Sequence, residues 1–159
     1  MGHRVKYIML GIVFFVVLSS SLVLATTESM TKIPVLAKDK FMTPLSTSTT
    51  VIWKASATIY IKGIFRKTVY FSAYSESRTK DRHPFNIDHI GLESTVKAYY
   101  DLGWHVVHRG RHDDWNDWYV SDLWSERAHY ERYLATTHHW FEDARFQNWY
   151  PTLTVSVSR

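Results

Sequence analysis

The sequence predicts an all-β fold, an antiparallel β-sandwich of about 6–8 strands. Three observations carry that expectation. Strict two-residue alternation of apolar and polar side chains recurs over strand-length stretches, turn residues separate those stretches, and sustained helical periodicity is scarce.

The chain opens with Arg4 and Lys6, an apolar run from Tyr7 to Leu18, the small residues Ser19 to Ser21, and Val23-Leu24-Ala25. A basic head, a hydrophobic middle and small residues at the end make an export signal over 1–25, with cleavage expected after Ala25. The competing reading is an uncleaved membrane anchor, since a span needs roughly 20 apolar residues. The short apolar run, broken by the serines, favours the signal. The expected location is therefore secreted, with membrane contact only through this segment unless it stays attached.

The chain has no cysteine, so it has neither a lipid-attachment site nor disulfides, and no Asn-x-Ser/Thr sequon follows Asn86, Asn116 or Asn148. Both features point to a bacterial exported protein. Removing Arg4 and Lys6 from the 19 basic residues leaves 17 against 15 acidic ones, which lowers the net charge from +4 to +2. Basic residues are interleaved with acids instead of forming a stripe, which argues against nucleic acid as the partner.

Residues 26–50 are rich in Ser and Thr, carry Pro34 and Pro44, and read as a flexible leader. A single sandwich domain is expected over 51–159. Its first strand places Val51, Trp53, Ala55, Ala57, Ile59 and Ile61 on one face, and a second places Val69, Phe71 and Ala73 on one face. The two make a hairpin. Ser75 to Glu93 is polar and reads as a long loop. A third strand aligns Val96, Ala98, Tyr100, Leu102, Trp104 and Val106, with Gly103 marking a bulge and Trp104 facing inward with Trp53. Over 121–141 two readings compete: strand, favoured by the Thr, His and aromatic content of 136–141, and a short helix within 121–135 capped by Ser121 or Asp122. Leu153, Val155 and Val157 alternate with Thr and Ser in the last strand.

Six of the seven tryptophans fall between Trp104 and Trp149. Of these, Trp115 and Trp118 flank Asn116-Asp117 in a segment read as a polar loop, Arg109 to Asp117, and these four residues form the candidate binding site. Flat apolar faces with polar tips suit sugar rings and protein partners. The same segment offers His112, Asp113, Asp114 and Asp117 as candidate metal ligands for Ca or Zn, although the spacing lacks the glycine turn and distal glutamate of the usual calcium loop. The alternative is a solvated, charged hairpin tip with no cofactor. His138 and His139 fall on opposite faces of a strand and cannot chelate one ion together.

No catalytic motif is present: there is no His-Glu-x-x-His, no Gly-x-Ser-x-Gly and no phosphate loop. The function expected is therefore non-catalytic binding of an extracellular or cell-envelope partner, whether envelope polymer, carbohydrate or protein. An exported antimicrobial or toxin-like protein acting on membranes is the alternative, and a metal-dependent hydrolase the third reading.

Overall fold

The computed structural model describes residues 24–37 and 50–159, and most of the expected export signal and residues 38–49 of the expected leader lie outside it. Eight strands follow one another: β1 (Leu24–Lys32), β2 (Val51–Lys62), β3 (Thr68–Thr79), β4 (Ile87–Tyr100), β5 (Gly103–Asp117), β6 (Tyr119–Arg127), β7 (Arg132–Glu142) and β8 (Thr152–Ser158). They form two antiparallel four-stranded sheets, ordered β1-β2-β3-β6 and β5-β4-β7-β8. The sheets stack as a sandwich, with β1 against β8 and β6 against β5. The all-β expectation holds, and among the described residues no helix is long and apolar enough to cross a membrane.

The core follows from the alternation. Trp53, Ala55, Ala57, Ile59 and Ile61 of β2 and Val69, Phe71 and Ala73 of β3 are buried and meet Leu153, Val155 and Val157 of β8 and Ile90, Leu92 and Val96 of β4. Removing these side chains from water is the main force joining the sheets. Trp53 is fully buried, as its register predicts, and stacks on Phe141 at 5.6 Å.

Several expectations need correction. The segment Ser75 to Glu93 is mostly strand, because Ser75 and Ser77 point inward and deprive the alternation of its apolar half. Over 121–141 the favoured strand reading holds, divided between β6 and β7 with 128–131 joining them, and the alternative short helix does not form. Arg109 to Asp117 is the outer half of the edge strand β5, where a dense run of charges discourages pairing with another chain. The expected leader begins as structure: Thr26–Lys32 belongs to β1, paired with β2. The chain beyond β1 then docks on the 145–147 loop through Ala37 N to the Arg145 carbonyl and Gln147 N to the Val35 carbonyl.

Gly103 is not a bulge. It closes a two-residue turn in which Asp101 and Leu102 have φ of 48° and 62°, the signature of a type I′ hairpin. The turn brings Trp104 opposite Tyr99 and leaves it 42% exposed instead of in the core. The bulge lies further along: Val96 pairs with His108 and Lys97 with Val106, so Val107 is the extra residue.

Candidate functional site

The outer face of the β5-β4-β7-β8 sheet gathers its chemistry in registered rows. Trp115, His89 and Glu142 form one row across β5, β4 and β7, Asp113, Gly91 and Trp140 the next, and Arg111, Glu93 and His138 the third. Because side chains alternate along each strand, all of them project to the same side.

Gly91 makes the arrangement possible. A Cβ at this position would overlap the indole of Trp140, so the ring lies over the β4 backbone and reaches His89 only because residue 91 has no side chain. Trp140 Nε1 donates to His89 Nε2 at 3.3 Å. On the other side of His89, the indole of Trp115 lies parallel to the imidazole, ring centres 4.2 Å apart and planes within 8°. Trp115 is nonetheless 69% exposed, so its second face is open to solvent.

Polar groups surround these rings. His89 Nδ1 donates to Glu142 Oε2 at 2.8 Å, and Tyr150 donates its hydroxyl proton to Glu142 Oε1 at 2.7 Å. Asn148 Nδ2 donates to the Tyr150 hydroxyl at 3.0 Å. The hydrogen bond from His89, followed by that from Tyr150, outweighs burial and holds the Glu142 carboxyl below its ordinary range. The same bond to Glu142 pushes the Tyr150 phenol up, with burial adding to it. With Nδ1 committed to an ionised carboxylate, His89 Nε2 is the acceptor for Trp140, while Asp113 Oδ2 waits 3.3 Å from the same nitrogen. The guanidinium of Arg111 lies 5.4 Å from the Trp140 ring centre. Two neighbouring cavities, of about 400 and 320 Å³, share His89 and Glu142 as walls, and Trp115 and Asn148 line the larger.

Of the four expected binding residues only Trp115 joins this cluster. Asn116 and Asp117 build the corner between β5 and β6. Asn116 has φ of 55° and accepts from Asn86 Nδ2 through its carbonyl, and Asp117 Oδ1 accepts from the Trp118 amide at 2.6 Å. Trp118 lies instead beneath the Arg78 guanidinium, 4.7 Å from its ring centre. The four expected metal ligands are dispersed as well. His112 points inward to Asp122 at 3.4 Å, Asp113 outward to His89, and Asp114 accepts from the amide of Trp115. Among the described residues no three His, Asp or Glu side chains converge on a metal position.

His89, Trp140, Glu142 and Tyr150 escaped the sequence reading. A signal for His89 exists: the alternation of Ile90, Leu92, Ser94, Val96 and Ala98 extends back through His89, Gly91 and Glu93, but Gly91 and the polar approach obscure it.

A second polar cluster lies between the sheets. Asp122 of β6 is buried, accepts from Ser94 Oγ and from His108 Nε2 at 2.8 Å, and abuts Gly110, where a side chain would strike it. Burial alone would raise its carboxyl. The bonds from Ser94 and His108, with the nearby charge of His108 and His112, overcome that and leave it below the ordinary range. Serine and histidine both bond the carboxylate and not each other, so this is a structural clasp between β4, β5 and β6 and lacks the serine-to-histidine contact of a nucleophilic triad.

The fold and site thus define a β-sandwich bearing an aromatic-flanked polar cluster on one outer sheet face. Compared with protein families, curated proteins and solved structures, the chain matches none.

Proposed function

We propose that this is an exported, non-catalytic binding protein whose partner is a carbohydrate of the cell envelope. The observation that carries the reading is the Trp115 indole, braced flat by His89 with its other face open, beside the hydrogen-bonding rim of Glu142, Tyr150, Asn148 and Asp113. A sugar ring presents C–H groups on a face and hydroxyls at its edge. A flat aromatic surface covers the first, while carboxylates and amides satisfy the second. Bracing matters because a ring already immobilised loses little conformational freedom when the ligand arrives. Export is supported by the order of basic, apolar and small residues at the start of the chain.

Sedimentation with isolated bacterial cell wall tests this reading, alongside tryptophan fluorescence on titration with soluble wall fragments. The native protein should pellet with the wall, and Trp115→Ala should stay in the supernatant while melting at the native temperature. Equal pelleting by the two proteins would sink the assignment of the site, and dye leakage from vesicles at low protein concentration would favour a membrane-active protein instead.

A further inference from the structure

A second aromatic platform stands at the opposite end of the same sheet face. Tyr99 and Trp104 meet edge to face at 5.4 Å, and the Arg132 guanidinium lies 4.4 Å from the centre of the Tyr99 ring and 5.9 Å from that of Trp104. Trp104 and Trp115 stand 11 positions apart, an odd offset that in a regular strand would turn them to opposite faces. The bulge at Val107 absorbs one residue, so Trp104 and Trp115 project to the same side. Ten ladder steps then separate the two platforms, about 33 Å along β4 and β5.

Charge divides the face between them. Glu142, Asp113 and Glu93 lie toward Trp115 and outnumber Arg111 there, whereas the rows from Arg109 to Trp104 contain Arg109, Lys97 and Arg132 and no carboxylate on β4, β5 or β7. Among the described residues none of these three cations is paired with an acid.

Building on the carbohydrate reading above, we propose that the ligand is a linear polysaccharide of mixed neutral and carboxylated sugars, laid along β4 and β5 from Trp115 to Trp104. Its neutral rings stack at the platforms and its carboxylates meet Arg109, Lys97 and Arg132. A uniformly charged strand such as a nucleic acid fits less well, because its phosphates would run over Glu93, Asp113 and Glu142. Engaging both ends makes the second contact intramolecular, so affinity should rise steeply once a chain is long enough to span them.

The test is calorimetric titration of the full protein with hyaluronan tetrasaccharide, hyaluronan dodecasaccharide, a neutral β-glucan dodecasaccharide and a single-stranded oligonucleotide of similar length. The hyaluronan dodecasaccharide should bind about a hundredfold more tightly than the tetrasaccharide, and more tightly than the neutral glucan by a margin that shrinks with salt. Trp104→Ala, and separately Lys97→Ala with Arg132→Ala, should bring the dodecasaccharide down to the affinity of the tetrasaccharide. Trp115→Ala should weaken both. Equal affinity for short and long chains, indifference to Trp104→Ala, equal binding of the neutral glucan, or tighter binding of the oligonucleotide would each overturn the extended tract. If Trp115→Ala still weakens the tetrasaccharide, the carbohydrate site itself survives that outcome. Absence of binding by every saccharide would remove both proposals.

Discussion

The indole of Trp140 occupies the space that a side chain at Gly91 would need. The two residues sit opposite each other on β7 and β4, and the glycine lets the ring lie flat and place its N–H on His89. Gly91→Ala should therefore push the indole off the sheet. We expect a loss of about 2 kcal/mol in chemical denaturation, typical of overpacking at a tight contact, together with weakened ligand binding. The conservative Gly91→Ser should behave the same way, since the clash is with Cβ itself.

Tyr150 and Glu142 give a pH signature at the same site. The phenol donates to the carboxylate and helps hold it ionised below its ordinary range. Tyr150→Phe removes that bond, so Glu142 should take up its proton at higher pH than in the native protein. If the ligand uses the carboxylate as an acceptor, the acid limb of a binding-versus-pH profile should move toward neutral pH in Tyr150→Phe. Affinity well above the carboxylate range should change by less than about tenfold, the cost of roughly one hydrogen bond. An unshifted acid limb would show that Glu142 does not take part in binding.

The parts of this fold legible in the sequence are those whose inward residues are apolar. Strands β2, β3 and β8 announce their buried faces through Trp53 to Ile61, Val69 to Ala73 and Leu153 to Val157. Elsewhere the interior itself is polar: Ser75, Ser94, Asp122, Thr137 and His139 are buried and satisfied by one another within and across strands, so a period-two pattern hides inside an apparently hydrophilic stretch. The site was legible only in part for a different reason. Trp115 and Asp113 stand out locally, but His89 and Glu142 become neighbours through the β4–β7 register, which no local pattern encodes. Likewise the parity change at Val107, which decides where Trp104 points, has no glycine to mark it.

Leu102 occupies a left-handed position, φ 62°, in the two-residue turn between β4 and β5, with its side chain 93% exposed. A leucine there packs against little and bears the steric cost that L-residues meet in this region, about 1–2 kcal/mol. Glycine avoids that cost but has more freedom to lose on folding. The balance favours Leu102→Gly by about 1 kcal/mol, since an Asp-Gly pair is a preferred type I′ sequence. Equilibrium unfolding should show a higher denaturant midpoint with an unchanged slope. A lower midpoint would mean that Leu102 makes a stabilising contact in solution.

Acid should destabilise the protein in two stages, the first set by His139. Ser75 Oγ donates to the Gly91 carbonyl and so accepts from His139 Nδ1, while Thr137 Oγ1 lies 2.8 Å from Nε2 and donates to it. This network satisfies both ring nitrogens of the neutral imidazole. Burial, reinforced by the charge of neighbouring His138, accordingly lowers the His139 pKa from 6.5 to about 4. Between those values the unfolded chain binds a proton that the folded protein refuses, so stability falls as pH drops through that window and is insensitive to this group above and below it. A shift of this size corresponds to about 3 kcal/mol. Asp122, held low by Ser94 and His108, adds a further loss at lower pH, where the folded protein must finally protonate a carboxylate that the unfolded chain protonates earlier. Denaturation curves measured from pH 7 to 3 should therefore show a first decline between about pH 6.5 and 4 that His139→Gln flattens, and a second below it that Asp122→Asn flattens. A first decline that persists unchanged in His139→Gln would assign it to another histidine.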